Sequence, residues 1–226
     1  MRLICNERRG GFEIEMKKVF LITALVLSLL VLSSCGADIK DEAAFLDEVA
    51  GLIESSYEIN EIYFGEGLPM QTDGKTADEI LAEADSEEGA AVIYLPVTED
   101  SPYKSEDGIT EAAAKVYSES YCAFLNQLAF EGISSDGKIV SYARYVTDFT
   151  YGLTVNVKSV SEAMELDRTY DTSTLELVRS RNGFWIGTND YAVVSVDAYD
   201  GGVFAEKKEF KVVRDADGWR LDWPTY

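Results

Sequence analysis

Four dipeptides, Asp136-Gly137, Asn182-Gly183, Gly201-Gly202 and Asp217-Gly218, cut the second half of this chain into short β-rich runs. Paired Asp, Asn and Gly residues tolerate the positive φ angles that tight hairpin turns require. The runs between and around them are "KIVSYARYV", "YGLTVNVKSV", "TLELVRSRNG", "DYAVVSVDAYD", "VFAEKKEFKVVRD" and "GWRLDW". Their spacing predicts an antiparallel meander. "SVSEAMELDRTYDT" interrupts it as a loop or short helical turn.

The first half reads differently. Phe45, Leu46, Val49, Leu52, Ile53, Tyr57 and Tyr63 recur every three or four residues, which predicts an amphipathic helix stopped by "GEGLP" at residues 65–69. Thr76 with Glu79 forms a capping-box pattern ahead of "ADEILAEA". "AAVIYLPV" (90–97) reads as one strand. A second long helix is expected from about Ser105 or Ile109 to Phe130, with Ile109, Ala113, Val116, Ser120, Phe124 and Leu128 as its buried stripe and Gly132 as its end. Helices first, then a meander, predicts an α+β domain with helices packed on one face of a curved antiparallel sheet. In the terminal run, Trp219 and Leu221 alternate inward from Arg220 and Asp222, and Trp223 and Tyr226 are expected to close the domain around Pro224.

Ahead of that domain, Val19–Leu32 is a run of fourteen uncharged residues that follows Met16-Lys17-Lys18 and leads into Leu32-Ser33-Ser34-Cys35. A basic start, a short apolar core and small residues are the layout of a signal peptide. The core is shorter than the ~20 residues that span a bilayer. The last four residues resemble the lipobox of bacterial lipoproteins, in which the cysteine is acylated and becomes the new N-terminus. The resemblance implies a lipid anchor on Cys35 and a location on the extracytoplasmic face of the cell membrane. Residues 1–15 then read as a mis-called start, with translation expected at Met16. The expected organisation is 1–34 removed, 35–40 anchor and tether, and 41–226 a single domain.

Charge and composition bound what such a domain does. Residues 1–34 carry five basic and three acidic side chains, so the formal charge of −21 for the whole chain becomes −23 for residues 35–226. That surface repels nucleic acid and anionic headgroups, which leaves membrane attachment to the lipid. No histidine is present, which removes Ser-His-Asp and Cys-His nucleophile systems and every His-containing metal site. Past Cys35 the only cysteine is Cys122, read as a buried inert thiol, so no disulfide is expected within the domain. The acidic pairs Asp41-Glu42, Asp85 to Glu88, Glu99-Asp100 and Glu106-Asp107 lack EF-hand spacing and read as solvated charge, so no metal and no cofactor are expected.

Thirteen tyrosines are many for this length. Tyr94, Tyr103, Tyr117 and Tyr121, with Lys104, gather around the second helix and are the candidate binding residues; no catalytic residue is assigned. Tyrosine combines an apolar ring with a polar tip and suits half-buried positions, either core packing on a sheet or a cleft lined for a protein loop, peptide or small ligand.

Finally, "IYLPV…SPYKSEDGITEAAAKVYSESY", "LVRSRNGFWIGTNDYAVVSVDAYD" and "EFKVVRDADGWRLDWPTY" resemble clostridial lipoproteins and are similar to IseA-type proteins. Those proteins inhibit cell-wall DL-endopeptidases and have a cystatin-like, nuclear-transport-factor-like fold. The resemblance implies a non-enzymatic role at the wall, with a wall hydrolase as partner. IseA-type proteins are typically secreted, whereas this chain carries an anchor pattern. A small-ligand-binding lipoprotein is the alternative, and a pocket enzyme of ketosteroid isomerase type, built on an Asp–Tyr pair, is a third reading.

Overall fold

A computed structural model describes residues 39–84, 92–181 and 190–226. The anchor motif Leu32, Ser33, Ser34 and Cys35, the acidic run Asp85 to Glu88 and the Asn182-Gly183 turn lie outside these residues. No helix among the described residues is long and apolar enough to cross a membrane.

Helix α1 (Glu42–Tyr63) starts where Asp41 accepts a hydrogen bond from the Ala44 amide at 3.1 Å. Its buried face carries Phe45, Val49, Leu52, Ile53, Ile59 and Tyr63, close to the periodic stripe. The short α2 (Ala77–Ala84) has the reciprocal cap read from the sequence: the Glu79 amide donates to Thr76 Oγ1 at 3.2 Å and the Thr76 amide donates to Glu79 Oε2 at 2.8 Å.

The expected second long helix is broken. It forms α3 (Glu106–Ala114) and α4 (Glu119–Asn126), the latter running into a π-helical turn over Gln127–Glu131. At the break the Ser118 amide donates to Leu221 O and the Leu221 amide donates to Val116 O, so the C-terminal strand takes hydrogen bonds that a continuous helix would have kept. Ser118 then caps α4. The interruption resets the helical phase. Ile109, Ala113 and Val116 are buried as expected, but past the break Cys122, Leu125 and Ala129 face inward, and Ser120 and Phe124 are exposed.

Strands β1 (Tyr94–Pro96), β4 (Tyr145–Asp148) and β5 (Gly152–Asn156) form an antiparallel sheet in the order β1-β5-β4, while β2 (Ile133–Ser135) and β3 (Lys138–Ser141) make a separate hairpin. After the one-turn helix α5 (Val157–Ser161) come β6 (Arg168–Arg181), β7 (Tyr191–Asp200), β8 (Val203–Arg214) and β9 (Trp219–Leu221), a four-stranded meander in sequence order. Part of the segment read as a loop, from Arg168 to Thr172, is the start of β6. Register shifts at Asp171/Glu176, Leu177/Arg179 and Ala198/Tyr199 curve this sheet. Helices cover one face of it, so the α+β arrangement read from the sequence holds.

The core lies between that face and α1, where Ala192, Val194, Val196, Ala198, Phe210 and Val212 meet Phe45, Val49 and Ile53. On the outer face, charged side chains pair across strands: Arg179 with Glu209 at 3.8 Å and Lys207 with Glu176 at 3.2 Å. The alternation in β9 is as expected, with Trp219 and Leu221 inward. The closing residue is not: Trp223 is half exposed, and Thr225, 1% exposed, is the side chain that enters the interior.

Candidate functional site

Tyr57, Asn60 and Glu61 are spaced by three and four residues, so they share one face of α1 near its C-terminal end. That face forms one wall of a cleft of about 460 Å³. The segment Met164 to Thr169 forms the opposite wall. It is pinned at both ends: the Met164 amide donates to Phe64 O at 2.9 Å, and the Gly201 amide donates to Asp167 O at 3.4 Å. The Tyr170 amide donates to Tyr57 Oη at 3.0 Å and ties the two walls together.

Thr225 and Tyr226 form the floor. The Thr225 hydroxyl lies in a buried knot with Ser56 Oγ (2.7 Å), Asn60 Nδ2 (2.8 Å) and Tyr117 Oη (2.9 Å). With Thr225 held there, the Tyr226 ring stacks on Phe64 at 4.2 Å and its hydroxyl accepts from Tyr121 Oη at 3.5 Å.

The cleft is acidic. Glu61, Glu165, Asp167 and Asp200 line it against one cation, Arg168. Arg168 is already bound: Nε and Nη2 donate to the two Asp200 oxygens at 2.8 and 2.9 Å, and Nη1 reaches Glu206 at 3.1 Å. The hydrogen bond to Asp200 pushes the guanidinium pKa up, and the same contact holds the Asp200 carboxyl below its ordinary value. Both stay charged at physiological pH. Among the described residues no cation pairs with Glu61, Glu165 or Asp167. A second hollow of about 500 Å³, on the outer sheet face beside Trp223, differs in this respect: its Arg179 and Lys211 are paired with Glu209 and Asp222.

Burial pushes the Tyr57 hydroxyl above its ordinary pKa, and burial also dominates at Tyr117 and Tyr121. These phenols stay neutral near pH 7 and offer faces and donors rather than a base. The one carboxylate that is largely enclosed beside the helix break, Asp222, does not meet the needs of an isomerase-type acid. Burial pushes its pKa up, but hydrogen bonds from Lys211, Ser118 and Ser120 outweigh this and hold it below the ordinary aspartate value. No group of three or more metal-ligating side chains occurs among the described residues.

The sequence candidates do not form one site. Tyr94 braces β1 by donating to Ala143 O at 2.8 Å. Tyr103 donates to Glu58 Oε1 at 3.2 Å, on another side of α1, and the Lys104 ammonium donates to Thr98 O within its own loop. Tyr117 is 1% exposed and committed to the buried knot, so it is corrected from a contact residue to an interior one. Tyr121 stacks on Tyr117 at 4.8 Å and reaches the cleft only through Tyr226. The segment 164–169 and Asp200 carried no sequence signal, because Arg168 and Asp200 meet across a hairpin of 32 residues. No family model matches the chain, and neither a curated protein nor a solved structure matches it.

Proposed function

We propose that this chain is a lipoprotein held at the extracytoplasmic membrane face through Cys35, with a non-catalytic binding domain that acts as an IseA-like inhibitor of cell-wall DL-endopeptidases. The observation that carries the binding role is the Tyr57–Tyr226 cleft, open, acidic and flanked by two tyrosine rings. Such a surface suits recognition: aromatic rings supply contact area at small entropic cost, and charge selects the partner. Its position adds support. The cleft lies at the C-terminal end of α1, whereas Ile39 and Lys40, which lead from the proposed anchor, lie at the N-terminal end. The lipobox pattern and the IseA resemblance supply the location and the class of partner.

The test is inhibition. The full chain, solubilised in detergent, is titrated against a purified wall DL-endopeptidase cleaving a muropeptide. Saturating inhibition at one-to-one stoichiometry supports the reading; neither inhibition nor co-elution at high micromolar concentration overturns it. Loss of metabolic palmitate labelling in Cys35→Ser checks the anchor separately.

A volume of about 460 Å³ is also in the range that holds a small ligand, which is the second reading. A small molecule that co-purifies with the chain and raises its melting temperature would favour it.

A further inference from the structure

The cleft has a charge imbalance that its own residues do not settle, and its edge is apolar. Glu61, Glu165 and Asp167 face an aqueous cavity whose one guanidinium is held by Asp200 and Glu206. Tyr57 and Tyr226 add two π faces, which attract cations. Directly across the hairpin from Asp200, and so on the same face, Val203 is 71% exposed, and Met164 is exposed on the opposite rim. The Gly201–Asp167 hydrogen bond holds this hairpin against the cleft wall. An acidic, ring-walled slot beside exposed apolar side chains is matched by an aliphatic stem carrying a positive head, flanked by apolar neighbours.

From this we infer that the cleft receives a lysine or arginine side chain presented by a partner protein, with Glu165 and Asp167 contacting the charged head, Tyr57 and Tyr226 flanking the stem, and Val203 and Met164 contacting the residues on either side. The inference rests on the binding-domain reading and names the chemistry recognised at the same site. The apolar rim decides for a protein over a free amine: a lone amine would leave Val203 and Met164 uncovered.

The experiment uses the detergent-solubilised full chain and three probes followed by NMR titration: a capped Leu-Lys-Leu peptide, the same peptide with Nε-acetyl-lysine, and n-butylammonium. Leu-Lys-Leu binds saturably, the acetylated peptide does not, and butylammonium binds more weakly than the peptide. Glu165→Gln with Asp167→Asn weakens the peptide roughly tenfold with an unchanged circular dichroism spectrum. Val203→Ser weakens the peptide and leaves butylammonium unaffected. Removing the same charge outside the cleft, with Asp47→Asn and Glu111→Gln, changes nothing. Equal binding of the acetylated peptide overturns the inference, as does equal weakening by the remote pair, which would assign binding to the general negative field. Butylammonium binding as tightly as the peptide overturns the choice of a protein partner. Endopeptidase inhibition that persists in the Glu165–Asp167 variant removes the cleft from the mechanism without touching the inhibitor reading; peptide binding without any inhibition does the reverse.

Discussion

Tyr117 donates its hydroxyl proton to Asn60 across 2.7 Å, joining the break between α3 and α4 to the C-terminal end of α1. Thr225 and Ser56 complete the same knot, so three separate segments converge on one enclosed polar cluster. Tyr117→Phe leaves Asn60 Oδ1 without its donor in a site closed to water. The expected loss is about 1–3 kcal/mol, the cost of an unsatisfied buried polar group. Urea denaturation reads it directly, and a midpoint unchanged from wild type would show that the knot contributes nothing net.

Arg144 is 7% exposed and has no carboxylate partner among the described residues. Its guanidinium donates instead to Gly65 O, just past the end of α1, and to Ser159 O at 3.2 Å. A cation at a helix C-terminus meets the negative end of the macrodipole, which explains how this charge is tolerated in the interior. A lysine has no planar fork with which to reach both carbonyls. Arg144→Lys is expected to destabilise the chain by about 1–3 kcal/mol, with one carbonyl left without its donor, and Arg144→Met by about 2–4 kcal/mol, with two. If either variant melts with the wild type, that account is wrong.

Gly132 ends the π-helical turn at φ 75° and ψ −168°, and a Cβ there would lie 2.4 Å from Ser141 O and 2.8 Å from Ala143 N. Both neighbours are backbone atoms and cannot swing aside. Gly132→Ala is therefore expected to cost about 2–4 kcal/mol from strain plus forced displacement. The readout is thermal unfolding, and a shift of under a degree would contradict it.

Asp222 links stability to acid. Its folded pKa lies below the ordinary aspartate value because Lys211 (2.5 Å), Ser120 (2.9 Å) and Ser118 donate to it, which outweighs the effect of burial. A depressed folded pKa contributes stability that is present above the unfolded value, near 4, and is lost as pH falls through the folded value. Asp222→Asn should be less stable at pH 7 and show a flatter loss of stability below about pH 4. Parallel acid-unfolding curves for the two proteins would refute the assignment.

Cys122 offers a chemical check on the core. Burial raises its thiol pKa to about 11, so little thiolate forms at pH 8. Iodoacetamide should leave the peptide containing Cys122 unmodified in the native chain and alkylate it fully in urea, as read by mass spectrometry. Rapid native labelling would mean that the helix after the break opens readily.

What the sequence showed and what it hid follow from the range of the contacts. Thr76 and Glu79 are three residues apart, and their reciprocal cap was visible in the spacing alone. The stripe of α1 was legible for the same reason, since one helix face repeats locally. The break at Val116–Ser118 was not, because its cause is Leu221, more than 100 residues on. Nothing in "VYSES" opposes a helix, and the strand that competes for its backbone is distant. The cleft was hidden likewise. Tyr57 was read as one more stripe residue, while the segment 164–169 becomes a wall only through its hydrogen bonds to Phe64 and Gly201. The tyrosine count did not mark the site: Tyr117 holds the interior together, and Tyr94 and Tyr103 are engaged away from the cleft.

Helix α1 runs unbroken for 22 residues. At 1.5 Å per residue, Asn60 lies about 28 Å from Asp41 along its axis. Upright on the lipid proposed at Cys35, that strut would set a stand-off of more than three screening lengths at physiological salt, each about 8 Å. Headgroup charge would be extinguished over that distance. Occupancy of the cleft would then follow the ionic strength of the wall and stay indifferent to the lipid composition beneath it.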